Sequence, residues 1–247
     1  MESKKINYYL TPTDEEIKKD NDITIYQYMR LDYLFDLLEN QKYYAKKRYT
    51  FIDYNEKTFN LKDYFITYGT FSDPKDKRAI ETTKKEDDNC YITFKESTEM
   101  PVSCWTKKGT ESFMMWKVYG KVMGVRIKST VLNFIASIKE DVSLNSNNKI
   151  LCGSIRYVDN LSDNGEVGVY LNKHKSYSDE KEFRFYFNFK DKDKRNEFIL
   201  IDVDPKVMID EICFSPFINE TAVKAFTEMI KEKYGIENVK HSNMRIK

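Results

Sequence analysis

The sequence predicts one α+β domain spanning residues 1–247. Three observations lead there. Runs such as Glu180 to Phe189 alternate polar and aromatic residues, as strands do. Leu31 to Gln41 repeats its apolar residues at helical spacing. Strand and helix patterns then interleave along the chain without an internal repeat.

The chain opens with a strand over Ile23 to Tyr28 and a helix over Leu31 to Gln41, whose face carries Leu31, Leu34, Phe35 and Leu38. A strand resumes over Lys42 to Ala45, and Phe51 to Glu56 has the polar and aromatic mix of a structured loop. Ser72 to Thr98 is mostly charged, with only Cys90 to Phe94 strand-like, and reads as a mobile insertion. Pro101 to Trp105 reads as a buried strand, Glu111 to Tyr119 as a short amphipathic helix, and Lys121 to Ile127 as another strand. Ser129 is the expected N-cap of a helix through Ile138. After a polar loop over Asp141 to Asn148 comes a strand from Ile150 to Val158, then a turn region containing Asn164-Gly165. Glu180 to Phe189 and Glu197 to Val203, joined by a charged tip, form the pattern of a β-hairpin. Val207 to Phe214 reads as a strand. Asn219 is the expected N-cap of a helix through Tyr234, with Gly235 at its C′ position and Ala222, Val223, Phe226, Met229 and Ile230 on its apolar stripe. Val239 to Ile246 closes the chain.

Composition narrows the function classes. With 18 tyrosines and 16 phenylalanines, apolar burial rests on rings rather than on aliphatic side chains. The 41 Lys and Arg nearly cancel the 40 Asp and Glu, which removes any bulk electrostatic argument for a nucleic-acid coat or an anionic membrane surface. Cys90, Cys104, Cys152 and Cys213 form no C-x-x-C pair, and the two histidines, His174 and His241, are too few for an imidazole zinc site, so no metal is assigned. No apolar stretch approaches the roughly 20 residues of a membrane span, and no secretory signal is legible; the expectation is a cytoplasmic protein with reduced thiols and no membrane partner.

Three constellations could carry chemistry. On the strand from Glu180 to Phe189, alternation places Glu180, Glu182, Arg184 and Tyr186 on one face and Lys181, Phe183, Phe185 and Phe187 on the other. Two carboxylates with a cation beyond them can hold one glutamate ionised and oriented toward a bound sugar or cation. An ordinary half-exposed strand with surface ion pairs has the same pattern and is the commoner outcome. Both tryptophans fall in Pro101 to Gly120, where their rings could stack on a flat ligand, although Met115, Trp116 and Tyr119 also suit the core face of a short helix. Cys104 reads as a structural thiol. Asp179 and Lys181 offer the D-x-K spacing of Mg²⁺-dependent nucleases, but the same strand face carries Phe183 and Phe185.

Taken together, several segments resemble an uncharacterised, mostly bacterial family, the domain of unknown function 2971. These are Tyr26-Gln27-Tyr28, Phe51 to Glu56, Ser103-Cys104-Trp105, Met115 to Gly120 with Gly124 to Ile127, and Lys175 with Glu180 to Arg184, together spanning roughly residues 24 to 214. The M-W-x-x-Y and E-x-E-x-R elements are the more specific; Ile52 and Tyr54 depart from the family's F-N-D-P-x-E. The resemblance implies an α+β domain. Its layout is similar to that of the ADP-ribosyltransferases that cleave NAD, which implies a mixed or antiparallel split sheet flanked by helices.

On that likeness, Glu182 would hydrogen-bond the nicotinamide ribose and stabilise the oxocarbenium-like charge, Glu180 would orient the acceptor, and Arg184 would complete the catalytic set. Gln27 or Tyr28 would stand where such enzymes carry a histidine or arginine for NAD, with Arg30 close by. Tyr119 or Trp116 would stack on nicotinamide, and Lys175 joins this cofactor-binding group. The expected function is an NAD-consuming ADP-ribosyltransferase or NAD glycohydrolase, with NAD as substrate and a protein or nucleic-acid acceptor, in a bacterial stress or phage-defence setting. A binding module that recognises a nucleotide or a protein without chemistry is the alternative, followed by the carboxylate-metal nuclease.

Overall fold

The computed structural model describes residues 8–10, 22–47, 67–71, 80–83, 101–140, 148–159, 172–189 and 196–244. The fold class is mixed α/β, with parallel and antiparallel strand pairs and few helices. No helix among the described residues is long and apolar enough to cross a membrane. The expected loop at Phe51 to Glu56, most of the charged insertion, Cys90 to Phe94, nearly all of the loop from Asp141 and the Asn164-Gly165 turn lie outside the described residues. The chain divides into two compact units: Met1–Asp22, Tyr44–Cys104 and Glu140–Leu200 in one, Ile23–Tyr43, Trp105–Lys139 and Ile201–Lys247 in the other.

In the second unit four strands lie in the order Val239–His241, Glu211–Phe214, Gly124–Thr130 and Thr24–Arg30; the first pair is parallel and the other two pairs antiparallel. The Leu31–Asn40 helix buries Leu31, Leu34, Leu37 and Leu38, so the expected stripe is right except that Leu37 is buried where Phe35 is only half-buried. Phe35 instead meets Phe226 of the Glu220–Met229 helix, and Phe226 stacks on Phe214. That helix begins as expected: the Asn219 side chain accepts the Ala222 N–H, and the helical path ends in a π-turn, Ile230–Tyr234, closed by Gly235 at φ 66°.

Several boundaries differ from the sequence reading. Thr130, not Ser129, caps the Val131–Ser137 helix, because the Gly124–Thr130 strand runs one residue further and leaves Ser129 buried within it. The expected strand from Val207 begins only at Glu211; before it, Asp204 caps a helical turn, Pro205–Met208, with proline at the first position, where its missing N–H costs nothing. The expected helix at Glu111 to Tyr119 is a three-residue helix, Phe113–Met115, running into a π-turn, Trp116–Gly120. Only Trp116 and Gly120 of that π-turn are buried, and Tyr119 stands exposed.

In the first unit five strands lie in the order Glu182–Asn188, Lys149–Ser154, Tyr8–Leu10, Thr67–Phe71 and Ile80–Thr83, and a separate parallel pair joins Arg156–Val158 to Asn172–His174. The hairpin expected between Glu180 to Phe189 and Glu197 to Val203 is not made. Both strands form, but Glu182–Asn188 pairs antiparallel with Lys149–Ser154, while Phe198–Asp202 pairs with Lys42–Lys47. Alternation identifies a strand and its two faces; it carries no information about the partner.

Glycine matters most at Gly124. A Cβ there would lie 2.4 Å from the Gly120 Cα and 2.8 Å from its carbonyl carbon and oxygen, so the two backbones approach too closely for any side chain. Gly124→Ala should cost about 1–3 kcal/mol because the backbone itself must move, whereas Gly235→Ala should cost about 1 kcal/mol, the penalty of a left-handed non-glycine residue. Urea unfolding of the two variants checks this; a Gly124→Ala midpoint equal to wild type would contradict the close approach.

Candidate functional site

The acidic motif of the first unit is held in a different local structure from the one expected. Glu180 ends a 3₁₀ turn, Lys175–Glu180, and Lys181 turns the chain through a left-handed conformation at φ 44°, so the strand starts only at Glu182. From there alternation holds, with Phe183, Phe185 and Phe187 on one face and Glu182, Arg184 and Tyr186 on the other. All six are buried. The expectation of a half-exposed strand is therefore corrected: the strand is covered on both sides, and its ion pair lies in the interior.

The geometry of that pair is bidentate. Arg184 Nε donates to Glu182 Oε1 at 2.7 Å and Nη2 donates to Oε2 at 2.9 Å. The cross-strand partner of Arg184 is Gly153, which has no side chain to compete with the guanidinium. Lys173, from the Asn172–His174 strand, bridges the two glutamates, with Nζ 2.8 Å from Glu180 and 3.3 Å from Glu182. The Cys104 thiol also hydrogen-bonds Glu182, and the Glu182 backbone N–H donates to the Tyr157 hydroxyl at 2.8 Å. Two cations thus face two anions, and the cluster is neutral within itself.

Burial alone would raise the Glu182 carboxyl, but the Arg184 guanidinium, and then Lys173, outweigh it and hold the group down at about 2. Burial by itself would lower Arg184; the Glu182 charge overrides this and raises it well above its ordinary value. Burial pushes the Tyr157 phenol up to about 12, with the glutamate charges adding to the rise. At neutral pH the site is therefore a fixed pair of ions beside a neutral phenol. Glu182 cannot act as a proton donor there. The partly exposed members are Glu180, whose side chain is 23% exposed, and Tyr177, whose ring lies 4.5 Å from Lys173.

The structure thus brings Glu180, Glu182 and Arg184 together, as the sequence suggests, and adds Lys173, Tyr157 and Cys104. Lys175, expected beside the cofactor, is exposed and pairs with Asp159 at 3.3 Å. Asp179 and Lys181 are also exposed and neither is on the strand, and among the described residues no group of three or more His, Cys, Asp or Glu could hold a metal ion. Asn172-Lys173-His174 has no periodic signal that would mark Lys173; its partners Glu180 and Glu182 lie seven and nine positions further along the chain, and the Lys175–Glu180 turn brings them back to it.

The other expected cofactor residues belong to the second unit. Tyr28 and Trp116 meet edge to face, with centroids 4.7 Å apart, and both are buried. The Tyr28 hydroxyl accepts the Ser112 N–H at 3.0 Å, and Trp116 Nε1 donates to Glu111 at 3.0 Å. Gln27, on the opposite face of its strand from Tyr28, accepts from the Tyr43 hydroxyl at 2.9 Å. Arg30 pairs with Asp32 at the start of the first helix and lies over the Tyr33 ring. Of the two expected stacking rings, Trp116 is fully buried and Tyr119 is exposed.

Removing one member of the buried pair leaves an uncompensated ion, so Arg184→Met or Glu182→Gln should each cost about 3–5 kcal/mol in urea unfolding at pH 7. Lys175→Met, which breaks an exposed pair, should cost less than about 1 kcal/mol. Equal losses would place the Glu182 pair at the surface. Because the folded-state value of Glu182 lies below its unfolded one, its stabilisation is full above pH 4.5 and is lost as pH falls toward about 2. An acid titration of wild-type stability should show that loss within this window.

No family model, no curated protein and no solved structure matches the chain.

Proposed function

We propose that the chain is an NAD-consuming enzyme of the ADP-ribosyltransferase or NAD-glycohydrolase kind, worked by the carboxylates around Glu182. The observation that supports this is a carboxylate held ionised in the interior beside a second, partly exposed one, both anchored on Lys173. Breaking the bond between nicotinamide and ribose sends its electron pair to the nicotinamide nitrogen and leaves positive charge on the ribose, which a fixed anion stabilises. The acceptor, water or a nucleophile of another macromolecule, then bonds to the ribose carbon and releases its proton.

Within this reading the two glutamates take different parts. Both oxygens of Glu182 already accept from Arg184, so Glu182 and Arg184 are positioning residues that fix Lys173 and the turn before the strand. Glu180, the partly exposed carboxylate, is assigned the contact with the ribose and the acceptor. Tyr177 offers a partly exposed ring beside it. A binding module without turnover is the second reading, favoured by the same saturation of Glu182, which leaves its charge fully matched by neighbouring cations.

Incubation of the full chain with NAD separates the two. The enzyme reading expects released nicotinamide, reduced by about 10²-fold or more in Glu180→Gln, with folding intact because Glu180 lies at the rim. Thermal stabilisation by NAD with no nicotinamide formed would establish the binding module instead; neither response would remove NAD from the account.

A further inference from the structure

The second unit buries a cation that the reading above does not use. Arg126 is 4% exposed. It stands in a row of cross-strand partners, Tyr28, Arg126, Cys213 and Lys240, on one face of the four strands. Its guanidinium lies 4.7 Å from the Tyr26 ring centroid and 5.8 Å from that of Tyr28, which offsets part of the cost of its burial. Nη1 donates to the neutral carbonyl of Gly109 at 3.1 Å, the Tyr28 hydroxyl lies within hydrogen-bonding reach of the guanidinium, and its Nε, although buried, donates to nothing among the described residues.

No carboxylate forms an ion pair with Arg126 among the described residues. Two acids lie near enough to act on Cys213, the cross-strand neighbour of Arg126, and both are engaged elsewhere: Glu111 accepts from Trp116 and from the Ser242 hydroxyl, and Glu211 pairs with Lys240 at 2.8 Å. A buried guanidinium without an anion is costly, and a charged acceptor binds it more strongly than a carbonyl does. The segment over Arg126 adds to the same demand. Lys107, Lys108, Gly109 and Thr110 supply two further cations and an exposed glycine, and the N–H groups of Gly109 and Thr110 make no hydrogen bond among the described residues. Lys128, two positions along from Arg126, lies on the same strand face.

We propose that Arg126, with residues 106–112, forms an oxyanion-binding site of the phosphate class, in which the anion takes the place of the Gly109 carbonyl on the guanidinium. The buried Nε of Arg126 and the N–H groups of Gly109 and Thr110 are donors without partners among the described residues, in a segment that also carries Lys107 and Lys108, and such a set suits a phosphate oxygen. The half-buried Tyr26 ring provides a flat wall beside it, close enough that a Cβ added at Gly109 would meet the Tyr26 hydroxyl at 3.5 Å. The phosphate could be free or carried by a nucleotide, and the chemistry recognised is the same.

The test is calorimetric and thermal titration of the full chain with inorganic phosphate, ADP and adenosine, each balanced with sodium chloride to constant ionic strength. Saturable binding of phosphate or ADP, none of adenosine, and at least about tenfold weaker binding in Arg126→Lys, which keeps the charge but loses the planar fork, are expected. Tighter binding of ADP than of phosphate identifies a nucleotide as the source, and equal binding identifies the free anion. Absence of saturable binding to wild type, or undiminished binding by Arg126→Lys, overturns the site. If Arg126→Lys does not fold by circular dichroism, the loop variant Lys107→Ala/Lys108→Ala decides: weaker binding with a shallower salt dependence sustains the proposal, and unchanged binding ends it.

Discussion

A charged pair placed two residues apart on a strand with no exposed face constrains the first unit more than any other contact. Alternation forces Glu182 and Arg184 onto the same side, and the neighbouring strand presents Gly153 opposite the arginine, so the guanidinium can lie flat against the carboxylate. Once buried, neither ion tolerates loss of the other, and the remaining acceptor capacity of Glu182 must be met. Lys173 and Cys104 gather around it for this reason, while the Tyr157 hydroxyl accepts the Glu182 backbone N–H. The site's architecture follows from satisfying a buried carboxylate.

The second unit solves a different problem, that of a turn passing close over a strand. Gly120 and Gly124 let the backbone cross, Trp116 fills the space beneath against Tyr28, and Glu111 ties the indole nitrogen to the Ser242 hydroxyl. This packing also explains why the tryptophan is not a platform: a ring fully buried with its N–H satisfied has no face left for a ligand. What stays accessible on the segment is Tyr119 with Phe113, Met114 and Val118. Arg126 lies on the same strand face as Tyr28 and Cys213, beside this cluster, and among the described residues no carboxylate pairs with it, in contrast to Arg184.

Much of the local structure was legible in the residues. The Asn219 cap and Gly235 stop needed only side-chain chemistry and a left-handed position, and the strand at Glu182 showed its two faces by period alone. Asp204-Pro205 carries the signature of a helix start, but the run Val207 to Phe214 has the apolar pattern of a strand, and the two signals overlap at Val207 and Met208. Ser129 and Thr130 are equivalent as caps by chemistry; strand length chose between them. The E-x-E-x-R motif identified the three charged residues that meet, while Lys173, with no pattern around it, did not stand out.

What the sequence determined by itself was therefore the periodic and the covalent: which segments alternate, which side chains share a face, and where a helix can start or stop; the core was not legible from composition, because among the described residues it is built mostly of Ile, Leu and Val, with rings in the minority. Partner choice was decided only by the tertiary structure. Glu182–Asn188 and Phe198–Asp202 are consecutive alternating strands, yet each pairs elsewhere. Burial of the charged face was settled at the same level, because a strand's period reports two faces equally whether one or both are covered. Pairing energy and desolvation arise between segments distant in the chain, and no local pattern encodes them.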